Sequence, residues 1–376
     1  MPKNRRLIFK HAKSVTVNFL VAFIAFWMNL FKALPPSKEN YYVLHYHYTT
    51  ITMTLMKTPA GNTRGEFYPM FAIKRYLKEN DVLRSACSQA KQMGFDTLLY
   101  ILPVLASKYR YRKVTGQKLD LKNPRNFNEK LQWLKLYWQN PLVVKCADKY
   151  GVREYAKDCG CEEILNQLYG VYEHPSEIDW GNLPDKFALK CTHGSGFNII
   201  CDDKKKLDKE QTLKQLNEWL KTRYGRQTAE IHYTYIRPRI VCEQYIETDA
   251  GLLPIDYKFF CFNGKPELVV VCSDRGSYVR FICANLDWQP MDILTKQCSS
   301  EKLPNKPDCL DAMIDYATKL AQPFPFVRVD FYDFKGKPIL GELTFTPAAC
   351  MSLYYNETGL QLLGDMLQLP RTYCRG

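Results

Sequence analysis

The chain is 376 residues long, 46% apolar and 24% charged, with 25 Tyr and 20 Phe. This is the balance of a globular protein with an aromatic core, and it excludes a disordered, collagen-like or polytopic membrane chain. The formal charge of +13 is uneven: residues 1–130 hold 22 Lys and Arg against 7 Asp and Glu, and the rest hold 30 against 32.

The basic third carries no helix-turn-helix, zinc-finger or RNP-like pattern, so nucleic acid is not an expected partner. A phosphate-rich partner or an anionic membrane surface suits the asymmetry better. Residues 15–31 (VTVNFLVAFIAFWMNLF) are uncharged and follow Lys3, Arg5, Arg6, Lys10 and Lys13. The run resembles a signal anchor at the lower length limit for a membrane span. A spanning anchor with its basic flank inside would export everything after it. An in-plane interfacial helix, or a start at Met53, Met56, Met70 or Met93, would not. Residues 35–68 show no period and read as linker.

The 14 cysteines include no Cys-x-x-Cys, and Cys191, Cys201, Cys242, Cys261, Cys272 and Cys283 lie in apolar runs. They read as buried, reduced thiols of a cytoplasmic protein, peripheral at the inner face of the plasma membrane. The six histidines share no ligand spacing with them, which argues against zinc.

Further along, residues 94–107 are apolar and broken by Pro103. Helices are predicted over 126–139, with Asn126 or Asn128 as N-cap and Leu131, Leu134 and Trp138 on one stripe, and over 144–158 and 207–224. Strands are predicted over 186–191, 197–201, 239–246, 255–262, 267–273, 326–333 and 338–346. Helices and strands interleave without a repeating βαβ unit, so the expected class is α+β.

Two places carry candidate chemistry. In 326–333, Arg328, Asp330 and Tyr332 share a face; in 338–346, Glu342 and Thr344 share one. A three-residue loop, Lys335–Lys337, would set Asp330 opposite Glu342 and Arg328 opposite Thr344. An even loop would send Glu342 to the other face. Two adjacent carboxylates need a cation between them, and Mg²⁺ suits oxygen donors. On this reading Asp330→Asn would relieve repulsion and leave folding intact or improved. The second place is Lys190, at the end of an apolar strand, followed by Gly194, Ser195 and Gly196, whose backbone can approach a phosphate closely. An ordinary hairpin loop would look the same. His193 reads as a loop-ordering hydrogen bonder. Lys149 in Ala-Asp-Lys, the Glu243–Ile246 strand end, and Asp256 with Lys258 are weaker pieces, each common as surface charge.

Taken in order, these pieces resemble the ATP-grasp superfamily. The stretches NPRNFNEKLQWLK, ADKYGVREY, ALKCTHGSGFNII, DYKFFCFNGKPE, VRVDFYDFKGK and GELTFTP resemble its TupA-like branch, associated with teichuronopeptide and other surface polysaccharides, over roughly residues 105–370. The resemblance implies an ATP-grasp fold: two α+β subdomains clamping ATP, with a helical N-terminal region. The implied divisions are 1–80 (basic, outside the resemblance), 81–185 (helical), 186–250 (lid) and 251–376 (C-terminal subdomain). It implies ATP bound by Lys149, Lys190, Gly194, Ser195, Gly196, Glu243 and Ile246. It places Mg²⁺ on Asp330, Glu342 and Thr344, the last where the superfamily usually has Asn. Arg328 and Lys258 become catalytic. The implied reaction is carboxylate–amine ligation through an acyl phosphate, joining a small-molecule or saccharide carboxylate, of uronic-acid type, to an amino acid. The competing readings are a glycosyltransferase, for which no Asp-x-Asp is present, and a non-catalytic polysaccharide- or membrane-binding scaffold.

Overall fold

The computed structural model describes residues 103–247, 254–274, 280–300 and 302–371. The apolar run 15–31 and the basic segment 1–80 lie outside them. All the described residues belong to one compact unit, Ser88–Gly376.

Four helices come first: α1 (Pro103–Thr115), α2 (Phe127–Tyr137), α3 (Pro141–Ala147) and α4 (Gly151–Asp158). Pro103 opens α1, where a residue without an N–H does no harm. Asn126 caps α2 in a reciprocal box with Glu129: its side chain accepts from the Glu129 N–H, and the Glu129 carboxylate accepts from the Asn126 N–H. The predicted helix 144–158 is two helices, α3 and α4, with Lys149 in the break.

A four-stranded antiparallel sheet follows, in the order β1 (Leu168–Tyr172), β4 (Ile240–Gln244), β2 (Phe187–Cys191), β3 (Asn198–Cys201). Its edge strand β1 lies within the stretch expected to be helical. Between β3 and β4 the predicted helix 207–224 is also split, into α5 (Lys209–Lys221) and α6 (Tyr224–Thr228), followed by a 3₁₀ turn at Ile231–Tyr235.

The larger sheet has six antiparallel strands. They are β10 (Lys337–Thr344), β9 (Phe326–Phe334), β5 (Asp256–Phe262), β6 (Lys265–Asp274), β7 (Arg280–Asn285) and β8 (Pro290–Met291), in that spatial order. One face is apolar along its length. Phe259, Cys261, Val327, Val329 and Phe331 are fully buried there beneath α7 (Leu310–Ala321). The opposite face changes character along the strands. Phe260, Phe262 and Phe326 pack against Phe127 and Leu131 of α2 and Leu363 of α8 (Glu357–Met366). Further along the same face, β5 carries Asp256 and Lys258, and β9 carries Arg328 and Asp330. The site lies where the helices stop covering the sheet.

The β9–β10 hairpin differs from expectation in an instructive way. Phe334 pairs with Lys337, so the loop has two residues, not three. Lys335 and Gly336, at φ 57° and 76°, give the left-handed pair that a two-residue hairpin turn requires. Alone, that even loop would put Glu342 on the wrong face. A bulge at Gly341 shifts the register by one, and beyond it Glu342 pairs with Asp330 and Thr344 with Arg328. A Cβ at Gly341 would sit 3.0 Å from the Tyr332 ring and 3.1 Å from the Asp330 carbonyl oxygen, so a small residue suits the bulge.

No described helix is long and apolar enough to cross a membrane. The described cysteines are free, and all but Cys159 and Cys298 are buried.

Candidate active site

The cluster on the six-stranded sheet is dense. Arg328 donates from Nε to Asp330 Oδ1 and from a terminal nitrogen to Asp330 Oδ2, both at 2.6 Å. That terminal nitrogen also reaches Glu342 Oε1 and Thr344 Oγ1, each at 3.1 Å. Thr344 donates to Glu342 Oε1 at 2.8 Å. Lys258, directly opposite Asp330 on the neighbouring strand, donates to Asp330 Oδ2 at 2.8 Å and to Asp256. The Asp330 side chain is 2% exposed and that of Glu342 35%.

Burial works against the charged forms here, and the neighbours outweigh it. Burial pulls the Lys258 ammonium down, but Asp330 leaves it raised. The Arg328 guanidinium is likewise raised against its desolvation, chiefly by Asp330. Burial pushes the Glu342 carboxyl up, yet Lys149, Arg328 and Lys258 bring it to about 2, from an ordinary 4.5.

The second set belongs to the four-stranded sheet and the α3–α4 break. Asp148 ends α3 by turning extended, at ψ 118°. Its carboxylate accepts from the Tyr150 N–H at 2.9 Å and pairs with Arg239 at 2.6 Å. This leaves Lys149 outside both helices, where its ammonium donates to the Gly194 carbonyl at 2.7 Å. Lys149 therefore touches the Gly194–Gly196 loop while its charge acts on Glu342. Burial lowers its pKa, with Glu342 opposing. Lys190 pairs with Glu243 at 2.8 Å, and Arg153 of α4 approaches the same carboxylate at 3.5 Å.

In the loop, Gly194 is buried while Ser195 and Gly196 are exposed, and Gly196 has φ +79°. A Cβ on Gly194 would lie 2.8 Å from the Phe197 ring and 2.9 Å from the Tyr224 ring, so the position has no room for a side chain. His193 is buried, with Nε2 3.1 Å from the Trp219 carbonyl oxygen, and burial lowers its pKa. Ile246 is half-buried just past the end of β4.

The structure thus assembles Arg328, Lys258, Asp330, Glu342 and Thr344 into one network, and Lys190, Glu243 and the glycine loop into another, with Lys149 between them. Sequence reasoning missed Arg153, four residues beyond Lys149 in the ADKYGVREY stretch. It also missed Tyr224, whose ring closes off the space at Gly194. Arg153 was legible as a basic residue of the same quoted stretch; nothing local marks Tyr224.

The site was tested for Mg²⁺ on its donors. Two carboxylates and a hydroxyl are the right kind of oxygen, since Mg²⁺ takes one or two carboxylates and completes its shell with water and phosphate. Among the described residues there is no group of three or more His, Cys, Asp or Glu that could hold a metal. The Arg328 guanidinium sits between Asp330 and Glu342 and engages both oxygens of Asp330. Asp330, Glu342 and Thr344 are the donors that would hold such an ion, shared with phosphate.

A family model described as TupA-like ATPgrasp matches residues 129–368. The chain belongs to that family. Membership brings the ATP-grasp fold, ATP-dependent ligation, and the use of ATP with Mg²⁺. No curated protein matches the chain. Among solved structures, D-alanine–D-alanine ligase from Helicobacter pylori is 16% identical, with 65% of this chain covering 71% of that one at a TM-score of 0.36. The Bacillus anthracis D-alanine–D-alanine ligase complexed with ATP is 13% identical, with shares of 66% and 69% and a TM-score of 0.36. L-amino acid ligase from Bacillus licheniformis is 13% identical, with shares of 72% and 63% and a TM-score of 0.42. The assignment rests on the family model.

Proposed function

We propose that this chain ligates a carboxylate to an amine through an acyl phosphate. The observation that carries this reading is the pair of charge networks joined at Lys149: three cations around Glu243 and the glycine loop, facing an acid-rich sheet that holds Arg328 and Lys258. Such an arrangement suits a polyphosphate held between a basic lid and a divalent ion.

In this reading Lys149, Lys190 and the Gly194, Ser195 and Gly196 backbone hold the phosphates, and Glu243 and Ile246 flank the adenine. Glu342 and Thr344, with Asp330, would hold Mg²⁺, which would draw charge from the β- and γ-phosphate oxygens. A carboxylate oxygen of the substrate attacks the γ-phosphorus, the bond to the ADP oxygen breaks, and an acyl phosphate forms. The amine then attacks the acyl carbon, loses a proton and expels phosphate. Arg328 and Lys258 stabilise the negative oxygens as they develop, and the loop shields the acyl phosphate from water.

A uronic acid as acyl donor, an amino acid as amine, and a role in cell-surface polysaccharide synthesis complete the proposal, on the strength of the branch resembled. The basic N-terminal third, residues 1–130, would hold the enzyme at the inner face of the plasma membrane. The test is ADP release with Mg·ATP and single carboxylates, with hydroxylamine as the amine. An ATP-dependent hydroxamate supports the acyl phosphate. ADP release that no carboxylate stimulates, with no hydroxamate, rules it out.

A further inference from the structure

Beside the charge network lies a cavity of about 620 Å³, within the usual range for a small-molecule site. Its walls come from α2, the α2–α3 connection, α3, the 3₁₀ turn at 231–235, the start of β9 and the residues just past β10. Leu134, Trp138, Val143 and Phe345 make much of it apolar. Two wall residues tie it to the site. Phe326 precedes Arg328 by one step on the same face of β9, and Thr346 follows Thr344 by two residues. Two residues of extended chain span no more than about 7 Å, so the cavity begins where the network ends.

Two lysines line it, and they differ. Lys145 is committed elsewhere, to Glu154 at 3.4 Å and Asp158 at 3.2 Å. Lys135, among the described residues, has no hydrogen-bond or ion-pair partner for its ammonium. Glu230, a buried carboxyl that accepts from Thr346 at 2.5 Å, acts on that ammonium, and burial lowers the Lys135 pKa as it raises that of Glu230. Lys135 and Thr346 thus line the same cavity, and among the described residues no carboxylate pairs with the Lys135 ammonium. On the same wall, His232 keeps Nε2 buried and without a hydrogen-bond partner. A half-buried unmatched cation in an apolar chamber is costly when empty and favourable with an anion present.

We infer that this cavity seats the carboxylate-bearing substrate, with its ring or apolar body between Trp138 and Phe345 and its carboxylate on Lys135, turned towards Arg328. The inference rests on the ligase reading for the name of the ligand, but the anion site itself does not.

Two measurements on the full chain separate these claims. The first uses 1-anilinonaphthalene-8-sulfonate, an apolar anion, followed by fluorescence. One site is expected whose affinity falls at least tenfold in Lys135→Met, recovers in Lys135→Arg, and stays within twofold in Lys145→Met. Absent binding, or equal affinity in Lys135→Met, overturns the anion site. The second is the hydroxamate assay with glucuronate, galacturonate, benzoate and amino acids. Lys135→Met is expected to raise KM for the active carboxylate at least tenfold, with KM for ATP within twofold. An active carboxylate whose KM does not move, or which fails to displace the dye, overturns the substrate assignment. Dye binding that depends on Lys135, with no hydroxamate from any carboxylate, upholds the anion site and sinks the ligase reading instead.

Discussion

The two charge networks are built on opposite terms. On the six-stranded sheet, Asp330 is almost fully buried and accepts from both Arg328 and Lys258, and Glu342 accepts from Arg328 and Thr344. Two cations answer three acids, counting Asp256. On the four-stranded sheet the balance is reversed: Glu243 alone faces Lys190 and Arg153, while Lys149 spends one donor on a carbonyl. In the first network Asp330 and Glu342 are each hydrogen-bonded to a cation; the second holds surplus positive charge beside an exposed glycine loop. Low-dielectric surroundings make a satisfied network rigid and an unsatisfied one ready for a ligand. The sheet network fixes geometry, and the lid network waits for phosphate.

The largest break in this contrast comes from Glu342→Ala. It takes from the sheet network a carboxylate that would hold Mg²⁺ while the Arg328–Asp330 pairing stays, and turnover should fall about 10³-fold, the scale of losing a preorganised electrostatic contact. Ligase assay and circular dichroism check it: a folded, inactive protein is expected.

Next is Asp330→Asn. The expectation of unchanged or improved folding does not survive the structure, because Arg328 already occupies the space between the acids. The change leaves Arg328 and Lys258 short of a buried counter-ion and should cost about 3–5 kcal/mol, read as a lower urea midpoint. Unchanged stability would mean that Arg328 and Lys258 do not depend on Asp330.

Lys190→Ala acts on the open network. ATP should bind about 10–100-fold more weakly, as for one lost charge-assisted contact of about 1.5–3 kcal/mol. Stability should fall less than for Asp330→Asn, because Arg153 still answers Glu243. Calorimetry and denaturation decide between the two effects.

The smallest effect is on pH. Glu342 is depressed in the folded chain, to about 2 from an ordinary 4.5. Its contribution is therefore fully present above pH 4.5 and fades as pH falls towards 2. Glu342→Gln should flatten that part of the stability curve, and an unaltered acid limb would show that Glu342 is not held low by its neighbours.

The strands were the most readable part of the sequence, because apolar and polar residues alternate so cleanly that β2, β4, β5, β9 and β10 fall within a few residues of their predicted ends. Helix boundaries were less so: at Asp148–Lys149 a carboxylate bonded to the next turn's N–H ends the helix, and hydrophobic period alone does not see such a bond. The pairing of Asp330 with Glu342 was legible, though through a loop one residue too long. The mutual satisfaction of Arg328, Asp330 and Lys258 was not, since Lys258 reaches Asp330 across 72 residues of sequence. Tyr224 and Lys135 matter through tertiary neighbours that no local pattern encodes.

The two-residue turn and the Gly341 bulge are linked by parity. Each displaces β10 by one position relative to β9, so their effects on facing cancel. At fixed length the bulge holds the one residue that a three-residue turn would otherwise hold, and either arrangement sets Glu342 opposite Asp330. A residue added at the turn, or Gly341 removed, should each lengthen the loop or erase the bulge and leave the same acids on the same side. Facing in this hairpin is therefore protected against a change of length at either irregularity.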